Sequence, residues 1–179
     1  MSEVVTYELR GPVAVVHMDR PPVNSLGAAL RTGIADAMDR AMADAAVQAI
    51  VLVGTARAFS AGADVTEFGT ANATREPNLR VLLTGIEALT KPVVAAIGGQ
   101  CLGGGFELAM GCHFRVALAD AQLGLPEVKI GLLPGATGTQ RLPRLIGLEA
   151  ALNMVVGGNP VAAAKFAGTP LIDQIIEGD

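Results

Sequence analysis

Apolar positions recur along this chain with two periods. Residues 4–9 and 13–18 alternate or run apolar around Gly11-Pro12, which predicts two strands joined by a tight turn. Arg20-Pro21-Pro22 ends the second strand. Leu26, Leu30, Ile34, Met38 and Met42 then follow at fourfold spacing and predict an amphipathic helix over 26–42, with Arg31, Asp39 and Arg40 on its solvent face. Residues 49–53 form a short apolar run closed by Gly54, as a buried strand does. The alternation repeats with a helix over 79–89, a break at Lys91-Pro92 and a buried strand over 93–97. Residues 98–105 carry five glycines and predict a loop, followed by a short helix over 106–110 and a strand over 113–117. From about residue 138 the pattern is helical, with segments at 138–145, 148–156 and 161–167 divided by Gly and Pro. No linker or low-complexity tract interrupts residues 1–179, so the expectation is one α/β domain.

Composition narrows the function classes. Half of the 179 residues are hydrophobic (51%) and 17% are charged, too apolar for a disordered chain. The net charge of −4 and the near absence of aromatic residues argue against nucleic acid as a partner. Ten of the thirteen cations are Arg, which suits bidentate pairing with carboxylate or phosphate. Cys101 and Cys112, the only cysteines, have neither redox-pair nor zinc-ligand spacing and read as buried thiols in a reducing compartment. The first ten residues lack an apolar signal core, and the longest uncharged stretch, 92–106, is too short and glycine-rich for a bilayer span. A cytoplasmic protein without a membrane partner is the expectation.

Several chemistries lack their motifs. None of the three serines, Ser2, Ser25 and Ser60, sits in a GxSxG elbow, and neither a phosphate-binding P-loop nor a GxGxxG turn is present. His17 and His113 are isolated in apolar surroundings and read as packing residues; no histidine cluster suggests a metal. Carboxylates and backbone amides remain, and they suit acid/base chemistry beside a developing oxyanion.

Two loops carry those groups. Phe59-Ser60-Ala61-Gly62-Ala63-Asp64 follows the strand at 49–53, and Leu102-Gly103-Gly104-Gly105-Phe106-Glu107 follows the strand at 93–97. In α/β folds the loops leaving strand ends form the ligand crevice, and small residues there present bare N–H groups to a ligand atom. Glu107 lies about one helical turn past Gly104, and a second carboxylate, Glu127, follows twenty residues on. Each part alone has a plainer reading: a glycine run can be a turn, Glu107 a helix-surface charge, and Glu127 after Pro126 a cap.

Taken together, residues 59–64, 102–107, 125–135 and 138–143 resemble the enoyl-CoA hydratase (crotonase) family, and the similarity runs over essentially the whole chain. Arg20-Pro21-Pro22-Val23-Asn24-Ser25-Leu26, the stretch 125–135 and the closing stretch 171–179 are most similar to the hydratase part of multifunctional fatty acid β-oxidation enzymes. The resemblance implies a crotonase-like spiral of repeated ββα units, with the helical C-terminal region truncated after residue 179. It implies syn addition of water to a trans-2-enoyl-CoA, with Glu107 and Glu127 as the catalytic pair and the Ala63 and Gly104 amides as the oxyanion hole. Ala61, Gly62, Asp64, Leu26 and Gly135 are the implied substrate and coenzyme A contacts. No metal and no cofactor is expected, since coenzyme A is part of the substrate.

The further implications are a homo-oligomer, a dehydrogenase domain in a parent protein, and a peroxisomal location if the source is eukaryotic. Δ3,Δ2-enoyl-CoA isomerase is the alternative reaction, and a silent acyl-CoA-binding or assembly fragment is the alternative of another class. Thr137 stands where similar proteins often have glycine, in a loop near the second glutamate, and is expected to crowd the water site. Leu148, Ala151, Leu152, Val155 and Val156 form an apolar stripe expected to seek a partner.

Overall fold

The computed structural model describes residues 4–177. Met1 to Glu3 and the last two residues of the closing stretch, Gly178 and Asp179, lie outside the described residues. Two sheets are built by strands that alternate between them. The first has the order β1 (Val5–Arg10), β2 (Val13–Met18), β3 (Ala49–Val53), β5 (Val93–Ile97), β7 (Phe114–Leu118) and β10 (Gln174–Ile176). The second has the order β4 (Ala58–Ser60), β6 (Gln100–Leu102), β8 (Gln122–Gly124) and β9 (Val161–Ala162). β1 and β2 form the antiparallel hairpin expected around Gly11-Pro12, and every later pairing in the first sheet is parallel. The pairs β3–β4, β5–β6 and β7–β8 each place one strand in each sheet, so every repeat advances the chain by one position in both. This is the spiral of ββα units.

The helices are α1 (Ala28–Ala43), α2 (Ala71–Thr74), α3 (Leu79–Glu87), α4 (Gly104–Gly111), α5 (Gly138–Ile146) and α6 (Leu148–Gly157). Leu30, Ile34 and Met38 of α1 are buried with Met18, Ile50 and Leu52, so the fourfold spacing does mark the core face. α4 is buried along its whole length, packed on β4 and β6 and against α3 and α5, a close fit that residues as small as Gly104, Gly105 and Ala109 permit.

Three expectations are corrected. Arg31 is not on the solvent face of α1: it is buried, and its guanidinium donates to the carbonyls of Leu26, Asn72, Arg75 and Pro77 at 2.8–3.2 Å. Five N–H donors make an arginine the natural filler where a loop turns its carbonyls inward. The segment 161–167 is not an α-helix but β9 followed by a 3-10 turn, Ala163–Phe166, since pairing of Val161 with Leu123 takes up the backbone. The glycine-rich run 98–105 contains β6, and α4 already begins at Gly104. The apolar stripe on α6 is divided: Leu148, Leu152 and Val156 are exposed, whereas Ala151 is buried.

The two loops that follow β4 and β6 touch through backbone. A Cβ on Gly105 would sit 2.4 Å from the Ser60 carbonyl oxygen, and one on Gly62 would sit 3.0 Å from the Leu102 carbonyl oxygen. Gly105→Ala is therefore expected to destabilise the fold by ~2 kcal/mol or more, although alanine favours a helix, because the obstacle is backbone that cannot rotate away. Urea unfolding measures this, and a variant as stable as the parent would show that the loops are free to separate.

Candidate active site

Six hydrogen bonds, four from side chains and two between backbone groups, hold the first loop. Asn24, buried and at φ +53°, donates through Nδ2 to the carbonyls of Met18, Ala58 and Phe59 at 3.0–3.2 Å. Ser60 Oγ donates to the Asn24 carbonyl at 2.7 Å, Ala61 N–H donates to Val23 O at 2.9 Å, and Leu26 N–H donates to Gly62 O at 2.8 Å. These bonds occupy the amide of Ala61 but leave that of Ala63 free. The second loop ends at Gly103, whose φ of +52° and ψ of −129° suit only glycine and swing the chain abruptly into α4. Ideal Cβ positions put the free amides side by side: one built on Gly104 lies 3.3 Å from Ala63 N, and one built on Gly62 lies 3.3 Å from Gly104 N. Among the described residues neither N–H donates to another protein group. Gly104 N–H also belongs to the open first turn of α4, where the helix dipole favours negative charge.

These residues open onto one cleft of about 500 Å3, lined by Ala61, Gly62, Ala63, Gly103, Gly104, Glu107, Glu127, Gly135 and Ala136. Val65, Phe68, Leu79, Ile130, Leu132 and Leu133 supply its apolar part, and Arg80 and Lys129 its cations. A larger groove of about 800 Å3 runs beside β1 and α1, but none of the sequence-predicted site residues lines it.

Glu107 is buried in the middle of α4. Its Oε1 accepts Ala136 N–H at 2.8 Å and Gly138 N–H at 2.7 Å, which leaves Oε2 as the free acceptor. Burial raises its pKa above the ordinary carboxylate value; the two N–H donors and the Arg141 charge act against that rise. Glu127 sits in the 3-10 turn Pro126–Ile130, with Oε1 against Gly103, where a Cβ would come within 3.0 Å. Its Oε2 is buried and has no hydrogen-bond partner. Burial, reinforced by the Glu107 charge, pushes the Glu127 carboxyl up to about 7. The two acids are thus differently tuned, one held by fixed donors and the other poised to keep its proton near neutrality.

The sequence-predicted residues divide accordingly. Glu107, Glu127, Ala63, Gly104, Ala61, Gly62 and Gly135 all line the cleft. Leu26 and Asp64 do not. Leu26 is fully buried behind the first loop, and Asp64 accepts from Thr66 N and Oγ1 and pairs with Arg20 at 2.6 Å. The Thr66 bonds and the Arg20 charge hold the Asp64 carboxyl below its ordinary value despite burial. Both residues shape the loop from behind. Thr137, expected beside Glu127, instead lies between the two amides that hold Glu107. Those amides escaped sequence reading, although the small residues Gly135-Ala136-Thr137-Gly138 mark a place where backbone approaches something closely. Cys101 and Cys112 are buried, free thiols as expected. Among the described residues no group of three or more His, Cys, Asp or Glu has the proximity to hold a metal, and no helix is long and apolar enough to cross a membrane.

Comparison with known proteins identifies the family. The chain is 50% identical over 172 residues to a peroxisomal bifunctional enzyme of Danio rerio, covering 96% of this chain and 24% of that one. It is 43% identical over 165 residues to a probable enoyl-CoA hydratase of Bacillus subtilis (strain 168), covering 89% of this chain and 64% of that one. The chain thus spans about a quarter of the bifunctional relative. A crystal structure of an enoyl-CoA hydratase from Bacillus anthracis superposes with a TM-score of 0.89 at 32% identity, over 97% of this chain and 70% of that one. Residues 8–179 match the enoyl-CoA hydratase/isomerase family, and with a crotonase fold over nearly its whole length this chain belongs to that family.

Proposed function

We propose that the chain is an enoyl-CoA hydratase that adds water across the double bond of trans-2-enoyl-CoA thioesters. The observation that carries this reading is the convergence of two carboxylates and two free amides on one cleft. The thioester carbonyl oxygen accepts from Ala63 N–H and Gly104 N–H. Glu107, ionised, takes a proton from water through Oε2 as the water oxygen bonds to C3. The π electrons of the C2–C3 bond shift into the thioester, and the resulting enolate oxygen is held by the two amides, worth about 2.7 to 4 kcal/mol per donor. Glu127 delivers its proton to C2, giving the 3-hydroxyacyl-CoA, and solvent returns a proton from Glu107 to Glu127. With water and proton delivered to the same face of the double bond, the addition is syn. Every proton moves among water, the two carboxylates and C2 of the substrate, so the reaction as written draws on no cofactor, and coenzyme A enters as part of the substrate.

Ala61 and Gly62 face coenzyme A at the cleft, Arg80 and Lys129 meet its phosphates, and the apolar residues from Val65 to Leu133 take the acyl chain. The name of the Danio rerio relative supports a peroxisomal setting for a eukaryotic source and a partner activity in a longer parent chain, for which a dehydrogenase is our reading.

Hydration of crotonyl-CoA, followed as loss of the conjugated absorbance, tests the proposal. Binding without turnover would favour a silent acyl-CoA-binding domain, and interconversion of 3-enoyl and 2-enoyl thioesters without hydration would favour an isomerase. Glu107→Gln and Glu127→Gln are each expected to lower kcat by ~100-fold or more with the fold intact; near-parental activity in either would remove that residue from the mechanism. Ala61→Phe should weaken coenzyme A binding by steric exclusion, and an unchanged affinity in calorimetric titration would place the nucleotide elsewhere.

The raised Glu127 pKa sets a pH dependence. The rate should fall as pH rises through about 7, where the C2 proton donor is lost. Because the folded-state value lies above the ordinary 4.5, the group's contribution to stability is intact below about 4.5 and is lost progressively up to about 7. Glu127→Gln should therefore match the parent's melting temperature in acid and exceed it at pH 8. Equal melting temperatures at pH 8 would show that Glu127 ionises without cost.

A further inference from the structure

The two amides that fix Glu107 belong to residues on either side of Thr137, and they point the same way because Thr137 has a left-handed backbone, φ +87° and ψ 1°. A β-branched residue is poorly suited to that region, where glycine is free of strain. What occupies the position is a side chain with a partner. Thr137 Oγ1 accepts from Arg141 Nε at 2.7 Å, and Thr137 O accepts Gln140 N–H and Arg141 N–H at 2.9 and 3.0 Å. Arg141 is itself clamped: its two terminal nitrogens donate to the two oxygens of Glu87 on α3, each at 2.7 Å, and one of them reaches Met110 O on α4 at 3.5 Å. A bidentate arginine–carboxylate pair fixes direction as well as distance. The circuit runs from Glu107 on α4 through the 136–138 turn to Thr137, through Arg141 on α5 to Glu87 on α3, and back to α4 through Met110.

We propose that Thr137, locked by Arg141, is a positioning residue for Glu107: it holds the Ala136 and Gly138 amides on Oε1, so that Oε2 alone faces the attacking water. The inference rests on the hydratase reading for its catalytic consequence, but the clamp itself does not depend on turnover. Gly138 fits the same scheme, since a Cβ there would come within 2.9 Å of Glu107 Oε1 and push the carboxylate off its donors.

The test compares Thr137→Val, which keeps the branched shape and loses the acceptor, with Thr137→Ser, which keeps the acceptor. Arg141 is left in place because its charge lowers the Glu107 pKa directly. Glu127, Glu87, His113 and Arg115, the other titratable or charged groups near this circuit, are also unchanged, so any shift reports the turn. Two readouts are taken: kcat and KM for crotonyl-CoA, and the carboxyl 13C titration of Glu107, assigned by its loss in Glu107→Gln. Thr137→Val should lower kcat about tenfold with KM within about twofold, as loss of one charge-assisted hydrogen bond predicts. Its Glu107 midpoint should move up, because the released N–H donors favour the ionised form. Thr137→Ser should restore both values. Thr137→Gly should melt above Thr137→Val, having shed the backbone strain, yet share its low kcat. An unmoved Glu107 midpoint in Thr137→Val, or a Thr137→Ser as impaired as Thr137→Val, overturns the proposal. If the parent chain fails to hydrate crotonyl-CoA, the hydratase reading falls, and the titrations still decide whether Thr137 positions Glu107.

Discussion

Everything at this site depends on two loops approaching more closely than side chains allow. The turn after β4 and the start of α4 meet at Gly62, Gly104 and Gly105, where added Cβ atoms would come within 2.4 to 3.3 Å of backbone atoms of the opposite loop. Such an approach leaves no room for water between them and no freedom for either to rotate. It is also what sets two unpaired N–H groups side by side, a costly arrangement in a buried place unless a ligand or solvent reaches them. The pair of free amides is therefore a by-product of packing, since the closeness of the two loops is what keeps both without a protein acceptor.

That closeness has to be held from outside, because glycine-rich backbone has no stiffness of its own. Asn24 supplies one anchor, with three carbonyls on its Nδ2 and its own carbonyl on Ser60. The segment from Val65 to Pro77 supplies another. Glu67 reaches back to accept the Ala28 N–H at the start of α1, and Arg31 of α1 collects the carbonyls of Asn72, Arg75 and Pro77. The Asp64–Arg20 pair ties the first loop to the turn after β2. Buried ion pairs and arginine clusters gain little stability over apolar packing. Here they fix the orientation of irregular backbone, which apolar side chains, being non-directional, do poorly.

This division explains what was legible beforehand. α1, α3, α5, α6 and the strands β1, β2, β3, β5 and β7 follow from the apolar period, because each is long enough for that period to repeat. β4, β6 and β8 are three residues each and lie within or beside glycine-rich or mixed segments, too short for any period to show. Periodicity puts Arg31 on the solvent face because it does not register partners distant in sequence, and three of its four carbonyl partners lie 41 to 46 residues away. Glu107, Glu127 and the two small-residue loops were legible through family resemblance, since glycine and glutamate spacing survives as a pattern. The Ala136 and Gly138 amides were not, because backbone donors leave no signature in residue identity beyond small size.

The two carboxylates share one cleft and differ in what surrounds them. Both are buried, and burial alone would raise both. The difference lies in what each oxygen meets. Glu107 Oε1 meets two N–H groups of the 136–138 turn, which favour its ionised form and offset part of the rise that burial brings. Glu127 Oε2 meets nothing that donates, and its neighbour Glu107 is negative, so retaining its proton costs least. The contrast between the two acids thus rests on the donors of the turn at 136–138, and withdrawing those amides would leave burial to act on both alike.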